Sequence, residues 1–191
     1  MQPCRLAAHD LACRRGDRLL FKGVGFALQA GEALQLAGPN GIGKSSLMRI
    51  LAGLLRPYHG HVEHEGQRAL SDERPALDAH RPLGEALDFW RRIDRAGETR
   101  SDFGLEDLLD VPVRYLSTGQ RKRAALARLA ASGAPIWLLD EPLNGLDTQW
   151  GAAAQTAIEA HRGQGGIAVI ASHQPLQLQA LRSVSLLDYT A

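Results

Sequence analysis

Cysteine is scarce: Cys4 and Cys13 are the only two among 191 residues. They offer neither a disulfide framework nor zinc-type spacing, so free thiols in a reducing compartment are expected. The formal net charge is only +1. A dedicated DNA- or RNA-binding surface usually brings a strong basic excess, so no nucleic-acid partner is expected. Nowhere does the chain offer about 20 apolar residues in a row, and its first ten residues contain no continuous apolar core. A cytosolic chain that neither crosses a membrane nor is exported is therefore expected. Hydrophobic residues make up 45% of the total, enough for the core of a single folded domain.

The chain changes character along its length. Residues 5–37 contain short strand-like runs, Leu19-Leu20-Phe21 and Val24-Gly25-Phe26-Ala27-Leu28, closed by the turn signal Ala30-Gly31. These predict an antiparallel β-layer. A helix follows and runs to about Leu55, stopped by Pro57, and His61–Gly66 then alternates like an exposed strand. From about residue 75 to 131 the apolar spacing is helical, as in Glu85–Ile93 and Leu105–Leu109. Ile136–Leu139 and Ile167–Ala171 read as buried parallel strands separated by a helix around residues 149–162. The expected fold is an α/β core interrupted by a helical insert.

Gly38-Pro39-Asn40-Gly41-Ile42-Gly43-Lys44-Ser45 fits the pattern G-x-x-x-x-G-K-[ST]. It lies between the apolar stretch Ala33–Ala37 and the helical Ser46–Leu51. Strand, glycine loop and helix together make a phosphate cradle. Backbone N–H groups turn inward around the β-phosphate, Lys44 reaches the β/γ-phosphates, and the Ser45 hydroxyl ligates Mg²⁺. A nucleoside triphosphate with magnesium is the expected ligand, with Ser46 completing the binding set. A glycine-rich turn of no consequence is the bland alternative, and what lies downstream weighs against it.

Leu138-Leu139-Asp140-Glu141 places carboxylates at the end of a buried strand. Buried carboxylates are costly without a cation or hydrogen-bond donors. Asp140 fits a residue that holds Mg²⁺ through water, and Glu141 one that orients or deprotonates the attacking water. The stretch Leu116-Ser117-Thr118-Gly119-Gln120 contains an S-x-x-Q capping box, so its bland reading is a well-capped helix. The sharper reading is a second anion site at a helix N-terminus. One chain needs no second phosphate cradle, but two copies arranged head to tail would use both.

Taken in order, the phosphate loop, LSTGQ, LLDEP, Leu146-Asp147 and Ser172-His173 resemble an ATP-binding-cassette ATPase domain over nearly the whole chain. The finer wording of the stretches around Gln120, Asp140 and His173 is similar to the haem-exporter ATP-binding subunits of bacterial cytochrome c maturation. The resemblance implies a P-loop NTPase core with an antiparallel β subdomain and a helical insert carrying the signature motif. A single domain over 1–191 would divide into a β-layer with phosphate loop (1–70), a helical subdomain (about 71–131) and a catalytic core (132–191). It implies ATP and Mg²⁺ as ligands, with Glu141, His173 and Lys44 catalytic. His173 would contact the γ-phosphate and the attacking water, while Ser117, Gly119, Gln120 and Asp147 would act across a homodimer. The implied partners are integral membrane subunits of a cytochrome c maturation complex, with the ATPase peripheral on the cytoplasmic side of the bacterial inner membrane. An exporter of another substrate, lipid or lipoprotein, is the main alternative, and a soluble non-transport cassette ATPase a further one.

Two departures from the family pattern stand out. The stretch that would stack on adenine, Cys13-Arg14-Arg15-Gly16-Asp17, contains no aromatic residue, so an arginine plane is the expected substitute. The glutamine that usually begins the helical insert is replaced by Glu73 or Arg74, and Glu73 is the candidate oxygen donor toward the metal. Three other features tempt toward function. The histidine-rich His59–Glu65 reads as a solvated hairpin rather than a ligand set, and Arg121-Lys122-Arg123 as an answer to nearby carboxylates or phosphates. Phe89, Trp90, Phe103 and Tyr115 offer a docking surface around the insert.

Overall fold

The computed structural model describes residues 3–73, 75–94 and 103–190. Two sheets face one another. Strand β1 (Arg5–Arg15) lies between β2 (Arg18–Gln29) and β4 (His59–Glu65) in a three-stranded antiparallel layer. The apolar runs expected before residue 37 belong to one long β2. Register slips along β1 and a left-handed Gly23 absorb the irregularity, so the strand bends instead of ending.

The second sheet is five-stranded and parallel, in the order β5-β6-β7-β3-β8. Its strands are β3 (Ala33–Ala37), β5 (Arg68–Ser71), β6 (Ile136–Asp140), β7 (Ile167–Ala171) and β8 (Arg182–Ser185). Both β6 and β7 are buried on each face, which explains their unbroken apolar sequence. Alternate side chains serve different layers. Ile136 and Leu138 pack with Leu47, Met48 and Leu51 of α1 (Lys44–Leu51) and with Phe21, Val24 and Leu28 of β2. Trp137 and Leu139 pack on the other side. Their neighbours there are Leu126 and Leu129 of α3 (Thr118–Ala131) and Ala154 and Ile158 of α4 (Thr148–Gly163). Each fully buried leucine or isoleucine contributes about 1.5–3 kcal/mol, so this two-sided sheet is the main source of stability.

Helix α1 ends at Leu51, short of the expected Leu55. Gly53, at a φ of 79°, closes a Schellman turn in which Leu54 N donates to Arg49 O and Gly53 N to Ile50 O. Gly53, not Pro57, stops the helix. The insert contains α2 (Leu83–Asp94) and α3, joined in part by 3-10 turns at Glu106–Leu108 and Val113–Tyr115. The helical spacing around Leu105 therefore yields one short turn. Strands β5 and β8 had no sequence signal: each is four residues long and only partly buried, and becomes a strand by pairing with β6 and β3 respectively.

Candidate active site

The parallel sheet brings the chemistry to one edge, because β3, β6 and β7 all end there. The loop after β3 leads into α1 through glycines at φ 139° (Gly38), 79° (Gly41) and 117° (Gly43). These left-handed angles are inexpensive only for glycine. A Cβ at Gly43 would stand 3.0 Å from the Phe21 ring, so the antiparallel layer presses directly on the loop. The start of α1 has no side-chain cap, which leaves its first N–H groups free to face an anion.

Lys44 is 5% exposed, and its Nζ donates to Gly38 O at 2.7 Å and Pro39 O at 3.4 Å. It also lies 3.4 Å from Glu141 Oε1. Glu141 itself has a φ of 48°, a strained angle for a non-glycine residue, held by its N–H donating to Ala171 O at 2.8 Å. The strain turns the carboxylate off β6 toward the end of β7. There the other oxygen meets His173 Nδ1 at 2.9 Å. Thus Lys44, Glu141 and His173 form one contiguous chain of polar contacts.

Asp140 is 4% exposed, and its Oδ1 is buried without a hydrogen-bond partner. Burial holds its carboxyl above the usual range, a hydrogen bond from Ser45 pulls it down, and the negative charges of Glu141 and Glu73 add to the rise. An unpaired buried carboxylate oxygen beside a serine hydroxyl is a donor set that fits a hard divalent cation such as Mg²⁺. Glu73 is exposed and reaches the site through its charge. It lines a cavity of about 370 Å³ with Asp72, Thr118, Arg121 and Lys122. Arg74, the other candidate for that place, lies outside the described residues.

Apart from Thr118, the LSTGQ residues line neither this cavity nor the cleft at the phosphate loop. Gly38, Pro39, Ser172 and His173 line a cleft of about 470 Å³ together with Gln35, Ala37, Gln174 and Pro175. At the start of α3 the capping box is complete: Ser117 Oγ accepts from Gln120 N at 3.2 Å, and Gln120 Oε1 accepts from Ser117 N at 2.7 Å. Gly119 abuts the loop before α4, since a Cβ there would sit 2.6 Å from Gly145 O. Asp147 caps α4, its Oδ1 accepting from Trp150 N at 2.9 Å.

Several supporting residues escaped the sequence reading. Gln35 Nε2 donates to Gln174 O at 3.1 Å, and Gln174 Nε2 donates to Asn144 Oδ1 at 3.2 Å, pinning the loop that carries His173. Lys122, expected from the sequence to answer nearby carboxylates or phosphates, is 8% exposed and donates to Asp140 O at 3.4 Å, tying α3 to the end of β6. Burial lowers its pKa, while Asp140, Glu73, Asp72 and Glu141 oppose that shift. Arg123 is also committed within the chain, to Phe103 O and Gly104 O, both at 2.9 Å, and lies over the Trp150 ring. Of the arginines expected near adenine, Arg14 leans over Tyr58 and donates to Gly16 O, whereas Arg15 is exposed. Phe103 is buried and Trp90 stacks under Arg128, so only Phe89 and Tyr115 remain exposed among the four apolar docking candidates.

The family model described as ABC transporter matches residues 21–144. The chain belongs to the ABC transporter ATPase family. It is 67% identical over 189 residues to the cytochrome c biogenesis ATP-binding export protein CcmA of Novosphingobium aromaticivorans, covering 99% of each chain. Against the protein of the same description from Zymomonas mobilis the identity is 51%, covering 98% of this chain and 86% of that one. A solved Pyrococcus furiosus chain described as an ABC transporter ATP-binding protein superposes with a TM-score of 0.83. Its identity is 21%, with 98% of this chain and all of that one covered, so the likeness speaks for the fold. The mixed architecture is thus that of an ABC ATPase. Among the described residues no helix is long and apolar enough to cross a membrane.

Proposed function

We propose that this chain is the ATP-hydrolysing subunit of a membrane transporter complex in cytochrome c biogenesis, serving haem export or release of the haem chaperone. The observation that carries the catalytic part is the convergence of Lys44, Glu141 and His173 beside the unpaired carboxylate oxygen of Asp140. The likeness to cytochrome c biogenesis export proteins supports the process.

In this reading ATP enters with its phosphates against the loop 38–45, drawing the Lys44 ammonium from the Gly38 and Pro39 carbonyls toward phosphate oxygens. Ser45 and Asp140 would hold Mg²⁺, which neutralises phosphate charge when bound. Freed of Lys44, Glu141 accepts a proton from the attacking water, and His173 donates to the γ-phosphate while holding Glu141 in place. Two copies close head to tail, each offering Ser117, Gly119 and Gln120 to the nucleotide of the other, with Asp147 near the seam. Glu73, at the start of the insert, senses the metal-bound state through its field on Asp140. The complex sits on the cytoplasmic face of the inner membrane, its integral subunits meeting the exposed side of the insert around Phe89 and Tyr115.

The test is complementation in a bacterium whose own relative has been deleted. The parent chain should restore covalent haem attachment to c-type cytochromes, and Glu141→Gln, expressed at the same level, should not. Restoration by Glu141→Gln would refute the hydrolytic role. Failure of the parent, with purified ATPase activity intact, would refute the process.

A further inference from the structure

The outer face of the antiparallel sheet carries a second cluster of ligating side chains, none of them used by the phosphate site. His59, His61 and Glu63 alternate along β4 and share one face. The antiparallel register sets His9 of β1 directly opposite His61, and their rings stack with centroids 4.7 Å apart. Both Nε2 atoms converge on one carboxylate: His9 lies 3.5 Å from Glu63 Oε2 and His61 lies 3.4 Å from Glu63 Oε1. Ligating atoms of all three residues lie within 4.8 Å of one another.

The backbone is built for this approach. The register slips just beyond His9, where Asp10 takes a φ of 47°. Opposite, Gly60 has a φ of 81°, and a Cβ there would lie 2.2 Å from His9 O. Glycine alone permits the strands to meet so closely. Neighbouring histidines are otherwise engaged: His59 Nε2 pairs with Asp10 at 3.2 Å, and His64 Nδ1 contacts Gly66 O at 3.1 Å.

Two observations point to a ligand. His9 Nε2 is closed off from water and faces Glu63 Oε2 at 3.5 Å without a well-formed hydrogen bond, although the ring as a whole is partly exposed. A desolvated ring nitrogen with so weak a partner is costly unless something binds it. The spacing supplies the second. Two donors each about 2.1 Å from a tetrahedral ion stand about 3.4 Å apart, which is the separation found between each imidazole and the carboxylate.

We propose that His9, His61 and Glu63 bind a divalent transition-metal ion of the Zn²⁺ type, with water completing its coordination. Two imidazoles and a carboxylate suit such an ion. The ion would clip the edge strand β4 onto β1.

The test is calorimetric titration of the metal-free full chain with zinc chloride at pH 7.5. One Zn²⁺ per chain should bind. His9→Ala and His61→Ala should each weaken binding about tenfold or more, whereas His59→Ala should leave it unchanged. Glutamine at the same positions repeats the test should an alanine variant fail to fold. The proposal is overturned by absence of binding to the parent, by binding that survives the His9→Ala/His61→Ala double substitution, or by binding that is lost with His59→Ala.

Discussion

Two helices begin at anion-seeking ends, and they begin differently. Helix α1 starts at a left-handed Gly43 with no side-chain cap. Helix α3 starts at Ser117, whose side chain and that of Gln120 satisfy each other's backbone. Neither has an acidic residue in its first turn to spend the helix dipole on. The uncapped end is incomplete without a ligand, whereas the capped end stands without one. Even so, Ser117 Oγ accepts the capping bond, and its own hydrogen stays available to donate to an anion arriving from outside. In the function proposed above, the contrast is that of a primary phosphate site and a secondary one that a partner's nucleotide completes.

The largest expected effect falls at the primary site. Glu141→Gln should keep ATP binding while kcat drops by about 10²–10⁴-fold, because the base is lost and the cradle remains. Steady-state turnover with size-exclusion in ATP checks it, and the variant should accumulate as a nucleotide-bound dimer.

A residue behind the sheet makes the stability of the fold itself sensitive to acid. His161 stacks on Trp137 with centroids 3.9 Å apart and sits near Ile167 O. Burial pushes it down to about 4, against the opposing effect of backbone bonds to Ile167 and Pro135. An unfolded histidine takes its proton near pH 6.5, so the unfolded chain protonates first. Stability is untouched above about pH 6.5, falls as pH drops, and has lost about 3 kcal/mol once pH is below about 4. Denaturant melts from pH 7.5 to 4 should show the parent losing about 3 kcal/mol more stability than His161→Phe, and so a steeper fall with pH. Equal slopes would contradict it.

Smaller effects separate capping from anion binding at Ser117. Aspartate caps a helix as well as serine does, so Ser117→Asp should keep the stability of the parent. Its carboxylate would face the partner's γ-phosphate, and hydrolysis should fall roughly a hundredfold by like-charge repulsion. Ser117→Ala removes the cap and should cost about 1 kcal/mol in a denaturant melt. Gly119→Asp is a poorer probe, because its Cβ would strike Gly145 O within the same chain.

The primary site was legible because its chemistry lies in short strings at strand ends. Gly38–Ser45, Asp140-Glu141 and His173 each announce a role, and β6 and β7, buried on both faces, declare themselves by unbroken apolar sequence. What stayed hidden depends on distant partners. Arg68-Ala69-Leu70-Ser71 has no strand pattern and needs β6 beside it. Lys122 was legible as a cation answering carboxylates or phosphates, but not as one buried against the end of β6. Phe103 resembles a docking residue but packs inside the insert. His9 and His61 are far apart in sequence, and only the β1–β4 register makes them neighbours.

The contrast between the two helix ends is tested most directly by the ATP affinity of dilute, monomeric protein, measured by titration with a fluorescent ATP analogue. Lys44→Ala should weaken binding at least about tenfold through loss of a charged contact to phosphate, while Ser117→Asp should bind as the parent does. Equal weakening in both variants, or none in Lys44→Ala, would contradict the division into a site that binds alone and one that a partner's nucleotide completes.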